Sequence, residues 1–364
     1  MKKILLIICT LFFVTLAGSA MSENPGKAGK KLGIATYSVK GLESDIEGSF
    51  KALQADGYVV MEISNYNASN GTIAGYKPAE YSALAEKYGL DIISSHARAK
   101  FDAKDADGTV AAWGKVFDDH KAMGCKYVVF PMNFWSNTAE GLKQECALMN
   151  RIGEEANKRG IKFGYHNHSF EFATVPGTSQ TFEEFLIGNT DPSKVFFQLD
   201  VYWSSIGGQD PVAFLKKYPE RIKVLHIKDD YVIGESGTID YKAIFTQFYK
   251  NGYEDWFVEM ESKMTPEQKQ QSLAMMEGMK KRMVEGGGNP FGGPQGGARP
   301  QGGQPQGNAQ GGQPQGGQPR QGAAQTPPAG FGPQDPKVVA EQLKTSLEGI
   351  KASADYLRNA DFVK

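Results

Sequence analysis

The chain has 364 residues, with 40 Lys and Arg against 41 Asp and Glu, a formal net charge of −1 and five histidines. No basic block breaks that balance, which argues against a nucleic-acid surface. Three cysteines are too few for a disulfide framework in a chain of this size.

The first 20 residues, MKKILLIICTLFFVTLAGSA, carry two lysines, an apolar run from Ile4 to Leu16, and the small residues Gly18, Ser19 and Ala20. This is the pattern of an export signal with cleavage after Ala20, and the run is short for a membrane span. Cys9 lies inside the run, which argues against a lipoprotein anchor; retention of the segment as an anchor stays open. Loss of Lys2 and Lys3 takes the charge to −3 and leaves Cys125 and Cys146, a pair the sequence permits but does not require to bond. The expectation is an exported, periplasmic protein that meets the membrane only through its signal, with residues 21–31 as a linker.

From residue 32 onward, short apolar runs alternate with amphipathic stretches of helical period, which predicts βα units and a parallel sheet. The runs are LGIATY (32–37), YVVMEIS (58–64), LDIISSH (90–96), KYVVFP (126–131), IKFGYH (161–166), VFFQLD (195–200), IKVLHIK (222–228) and DWFVEME (255–261). Helices are expected between them, among others over 43–55, 78–88, 110–123 and 139–159, several stopped by a glycine such as Gly57, Gly89, Gly124, Gly160 or Gly252. Eight such units in one chain predict an α/β fold, a single (β/α)8 TIM barrel over 32–285. Residues 286–334 are rich in Gly, Pro and Gln with few apolar side chains, and are expected to be a disordered insertion. Beyond it, Val338, Val339, Leu343, Leu347, Ile350, Ala354 and Leu357 recur at helical spacing, so 335–364 is the expected eighth barrel helix rather than 265–284.

Working residues of such a barrel sit at the C-terminal ends of its strands. Glu62 ends the second run, His96 the third, His166 and His168 the fifth, Asp200 the sixth, His226 the seventh, and Glu259 with Glu261 the eighth. Each alone has an ordinary structural explanation, such as a loop cap, an ion pair or a hydrogen-bonded core histidine. Their repetition at one face does not, because burying an unpaired ionisable group costs several kcal/mol. Carboxylates mixed with imidazoles suit a divalent cation such as Mn²⁺, Mg²⁺, Co²⁺ or Zn²⁺.

The stretches YHNHSFEF (165–172), LDVYWSSIGGQDP (199–211), LHIKD (225–229) and FVEME (257–261), in this order, resemble the xylose isomerase-like TIM barrel superfamily, and most closely its bacterial sugar phosphate isomerase/epimerase group. The resemblance implies one divalent metal held by Asp200, His226, Glu259 and a residue of the fifth-strand region. Many relatives have a glutamate where this chain has His166, so either His166 replaces it or Glu171 reaches back; Glu171 is favoured because it preserves the charge. The shared chemistry is removal of a proton beside a carbonyl or hydroxyl of a polyol, with the metal stabilising the ene-diolate. His168 is the candidate base, with His166 as its alternate. Lys228 either stabilises an oxyanion or closes its strand in solvent. Glu62, His96, Glu261 and Trp203 are candidate substrate contacts, with Tyr202 and Trp203 either an apolar platform or loop anchors.

Exported relatives of this kind are associated with 3-keto-glycosides, which lose the C1 substituent by β-elimination once the C2 proton leaves. The expected function is therefore a metal-dependent lyase, isomerase or epimerase acting on a small sugar or glycoside. A non-catalytic carbohydrate-binding barrel and an endonuclease IV-like phosphodiesterase are the alternatives. The second would need more histidines and a basic surface.

Overall fold

The computed structural model describes residues 30–287 and 335–364. The expected export signal, and the Gly/Pro/Gln insertion except for Gly286 and Gly287, lie outside them.

Eight parallel strands form a closed barrel: β1 (Leu32–Ala35), β2 (Tyr58–Ile63), β5 (Asp91–His96), β6 (Tyr127–Phe130), β7 (Lys162–His166), β8 (Val195–Asp200), β9 (Ile222–Ile227) and β10 (Trp256–Val258). Each pairs with its neighbours in sequence order, and β10 closes on β1 through Ile34 and Val258. A small hairpin, β3 (Tyr66–Asn67) and β4 (Thr72–Ile73), rises from the loop after β2. The chain is a single (β/α)8 barrel, as the alternating pattern predicts.

The helices are α1 (Ile46–Ala55), α2 (Pro78–Glu86), α3 (Ala106–Ala122), α4 (Ala139–Asn157), α5 (Phe182–Asn189), α6 (Val201–Ile206), α7 (Pro211–Lys217), α8 (Tyr241–Lys250), α9 (Pro266–Glu285) and α10 (Pro336–Asn359). Most begin on a side-chain cap: Asp45, Thr138, Thr181 and Asp240 each accept a first-turn N–H. The apolar face of α10 lies against the barrel: Tyr58 donates its hydroxyl to Ile350 O, and Ile350, Ala354 and Leu357 are fully buried. Helix α9 takes another path. It buries Met276, Met279 and Met283 and touches the turn at Phe170–Phe172, and Asn137 donates to Val284 O near its end. No helix among the described residues is long and apolar enough to cross a membrane. Cys125 and Cys146 are both buried and unbonded.

Two apolar clusters hold the barrel. The larger fills the space between sheet and helices; the smaller is the barrel interior, with Ala35, Val60, Tyr127, Val129, Phe196, Val224 and Phe257. Gly164 makes room in that interior, since a Cβ there would lie 2.5 Å from the Phe196 ring. Below it, buried Asp255 binds Lys31, Lys126 and the Tyr127 hydroxyl.

Candidate active site

Residues two apart on a strand point the same way. The apolar interior therefore continues upward into a polar layer: Val60 is followed by Glu62, Gly164 by His166, Phe196 by Gln198 and Asp200, Val224 by His226 and Lys228, and Phe257 by Glu259. All seven polar groups are buried. Four of the five histidines, His96, His166, His168 and His226, stand ring against ring at this level, with centroids 4.7 to 5.1 Å apart in contacting pairs.

His166, Asp200, His226 and Glu259 each offer a ligand atom, and the four atoms lie within 4.8 Å of one another. His96 makes a second such group with His166 and His226. Asp200 accepts the Trp203 N–H through Oδ1 at 2.8 Å, so one oxygen caps α6 while Oδ2 remains buried without a partner. His226 Nε2 stands 2.5 Å from Glu62 Oε1, while Nδ1 lies 3.0 Å from Glu259 Oε2 without forming a hydrogen bond.

Glu62 lies beneath this cluster. Ser94 and Gln198 donate to its Oε2 at 2.7 and 2.9 Å, and His96 Nε2 lies 3.1 Å from Oε1. With both oxygens engaged and no exposure, Glu62 supports the imidazoles instead of meeting a ligand. Gln198, absent from the sequence-derived site, links the same groups: its Oε1 lies 2.7 Å from His96 Nε2 and 3.1 Å from His166 Nδ1. The signal for it was its inward position two residues before Asp200.

Glu171 is turned away from the four donors. Its Oε1 accepts the Tyr165 hydroxyl at 2.5 Å and its Oε2 the His168 N–H at 2.8 Å, so the structure brings His166, and not Glu171, to the cluster. The reason is local: the chain bends into a short turn over Phe170–Phe172, which aims the carboxylate back behind β7. Lys228 is fully buried and donates to Glu259 and Glu261 at 2.7 Å each, with its ammonium 5.1 Å above the Trp203 ring. It is pinned by those carboxylates and is not at a solvated strand end. Trp203 is 5% exposed and packs among Lys228, His168 and Tyr202.

The electrostatics are those of an acid-rich pocket. Burial alone would push the Glu62 carboxyl up, but His96 and His226 hold it at about 2. Burial would lower His226, yet Glu62 and then Glu259 raise it to about 10. Asp200 is pushed up to about 7 by burial, with Lys228 opposing. Burial lowers His168 to about 3 and raises Glu171 to about 7. His168 is thus neutral at physiological pH, and its Nδ1 has no hydrogen-bond partner among the described residues.

These residues fit a divalent cation. The donor set is two carboxylates and two imidazoles, and two of its ligand atoms, Asp200 Oδ2 and His226 Nδ1, are buried and unpartnered.

Above the cluster opens a hollow of about 370 Å³, lined by His96, His166, His168, Glu259 and Glu261 from the predicted set. Tyr37, Ser64, Tyr66 and Arg98 complete much of its wall. None of these four was singled out in the sequence, because they stand beyond the barrel strands, on segments whose approach depends on the closed barrel. His168 is stacked on Phe170 with ring planes 9° apart, and Phe170 on Phe134 at 11°, so the imidazole is held flat in the wall.

A closed parallel barrel with acids and imidazoles gathered at its C-terminal mouth defines the class as a TIM barrel with its site at the usual face. The chain belongs to the xylose isomerase-like TIM barrel family, whose model matches residues 46–281. It is 28% identical to a sugar phosphate isomerase/epimerase of Parabacteroides distasonis, with a TM-score of 0.68 over 93% of this chain and 99% of that one. It is 29% identical to an inosose dehydratase of Clostridium tetani over 156 residues, 36% of this chain and 48% of the relative. An inosose dehydratase of Lacticaseibacillus casei is 26% identical over 246 residues, 51% of this chain and 78% of the relative. The matched stretch thus spans about half the length of the first of these dehydratases and over three quarters of the second.

Proposed function

We propose that the protein is an exported, divalent-metal-dependent enzyme that removes a proton beside the carbonyl of a keto-sugar, with a 3-keto-glycoside as substrate and β-elimination as the outcome. The observation that carries this reading is the adjacency of the donors His166, Asp200, His226 and Glu259 to the unpartnered imidazole of His168 in one hollow. Elimination is favoured over isomerisation or epimerisation by the dehydratases among the relatives, since dehydrating a ring ketone also removes a proton next to a carbonyl and expels an oxygen one carbon further on.

A cation of the Mn²⁺, Mg²⁺, Co²⁺ or Zn²⁺ kind at the four donors would supply electrostatic stabilisation for negative charge on the substrate oxygens. The protein's own groups do the rest. Neutral His168 accepts the C2 proton. The electron pair left behind forms the C1–C2 double bond as the C1–O bond breaks, and the departing oxygen takes up a proton, so the step is redox-neutral. Lys228 holds Glu259 and Glu261 in place, and Glu62 with Gln198 fixes the imidazoles. The stacked rings of His168, Phe170 and Phe134 shield one wall from water.

The test is to incubate metal-loaded protein with a 3-keto-glucoside, a keto-inositol and free ketoses in D₂O and follow the products by NMR. The reading requires loss or exchange of the proton beside the carbonyl and release of the C1 substituent; no reaction with any of the three overturns it. Export is tested by sequencing the N-terminus of the periplasmic form, which should begin at Met21.

A further inference from the structure

The catalytic hollow does not stand alone. At Tyr37 and Ser64, which line both, it meets a groove of about 410 Å³ that runs past Lys40, Glu43 and Asn65 to Val339 in the first turn of α10. Lys40 in turn borders a third hollow of about 420 Å³, between Lys263, Gln268 and Glu341. Small-ligand sites run from about 300 to 1,000 Å³, so the first hollow is sized for one ring and the groove adds as much again.

The groove is built from other chemistry than the hollow. It has none of the clustered imidazoles and cluster acids; beside the apolar Val39, Leu42 and Val339 it carries an ammonium, a carboxylate, hydroxyls and an amide, the groups that pair with sugar hydroxyls. At its junction with the hollow two buried polar atoms, Ser64 Oγ and Asn65 Oδ1, have no hydrogen-bond partner among the described residues. A buried polar atom left without a partner is destabilising, and a ligand hydroxyl bonded there would satisfy it. Asn65 is already oriented, since its amide donates to Glu43 Oε1 at 3.1 Å. Tyr37 stands at the junction with 42% of its surface exposed, fixed at one end by its hydroxyl on Glu261 and under its ring by Lys40, 3.3 Å from the centroid. The outer wall is tight: Gly41, at φ 81°, approaches so closely that a Cβ would lie 2.9 Å from Val339 O.

We propose that this groove is a second subsite, formed by Ser64, Asn65, Lys40, Glu43 and Val339, that binds a second sugar ring joined to the one reacting in the hollow. The inference rests on the keto-glycoside reading and deepens it: the ring in the groove is the group that departs, and selectivity for two-ring over one-ring substrates resides in residues remote from the metal donors.

The experiment compares a 3-keto-disaccharide with the 3-keto methyl glucoside on the full chain, for wild type, Val339→Trp, which fills the groove, and Asn65→Ala, which removes the amide. The ratio of kcat/KM for the two-ring over the one-ring substrate is expected to fall about tenfold in each, the equivalent of one lost hydrogen bond to a buried partner. An unchanged ratio in both variants overturns the subsite. A phenyl 3-keto-glucoside that retains the full two-ring advantage overturns the assignment to a sugar. Calorimetric binding of the unoxidised disaccharide separates the two readings. If no keto-sugar reacts but Val339→Trp abolishes disaccharide binding, the groove stands and the reaction assignment falls; if keto-sugars react and binding is the same in both variants, the groove falls alone.

Discussion

Glu62 Oε1 lies 2.5 Å from His226 Nε2, joining a residue at the end of β2 to one near the end of β9, although 164 positions separate them. The contact directs one ring nitrogen of His226 at a carboxylate and leaves Nδ1 facing Asp200 and Glu259, the carboxylate–histidine arrangement that orients metal-binding imidazoles.

From this follows the first prediction. Glu62→Gln keeps the side chain's shape but removes the charge that orients His226, and metal affinity should fall by about 10- to 100-fold. Competition with a chromogenic chelator measures it. Affinity equal to wild type would remove Glu62 from the site.

The fourth donor is decided by a pair of variants. His166→Ala should lose the metal on dialysis, as Asp200→Ala, His226→Ala and Glu259→Ala should, whereas Glu171→Gln should retain it. Elemental analysis of the purified proteins gives the answer, and the opposite result for His166 and Glu171 would restore the glutamate as ligand.

Proton transfer is assigned to His168. His168→Ala should keep its metal while exchange of the substrate C2 proton with solvent slows by about 10²- to 10⁴-fold. Exchange at the wild-type rate would pass the role to another group of the hollow.

Stability should depend on His120, on α3 and away from the cluster. Its Nδ1 donates to Val116 O at 2.6 Å, its other nitrogen is buried without a partner, and burial lowers it to about 4. Since the fold disfavours the charged form, this contribution is fully present above the ordinary histidine value near 6.5 and is lost as pH falls from there toward 4, by at most about 3 kcal/mol. His96, His166 and His168 are lowered as well and act in the same direction. Urea midpoints against pH should therefore fall less steeply for His120→Phe than for wild type, and identical slopes would exclude the effect.

Residues 288–334 join the end of α9, beside Asn137, to the start of α10, beside Gly41. Replacing them with a flexible linker of half the length should leave the melting temperature and metal content unchanged, because α10 packs through its own apolar face. A variant that fails to fold would show that the segment belongs to the barrel.

The sequence by itself carried the barrel and the level of the site. Alternation of period two decides which strand residues point inward whatever the neighbours are, so the runs ending in Glu62, His96, His166, Asp200 and His226 disclosed both the strands and their working ends. The helical spacing after residue 335 likewise revealed α10, because a stripe of apolar residues must be covered. What only the tertiary structure decided was which groups meet. Whether His166 or Glu171 completes the donor set depends on a turn that swings the glutamate behind β7 onto Tyr165. That Glu62 and Gln198 lie beneath the imidazoles, that Lys228 is locked between Glu259 and Glu261, and that Tyr37, Ser64 and Asn65 wall the mouth all depend on strand register and loop paths in a closed barrel. Such contacts join residues as far apart as Tyr37 and Glu261, 224 positions from each other, and no local pattern records them, because closure of the sheet, and not the preference of any one segment, sets their distances.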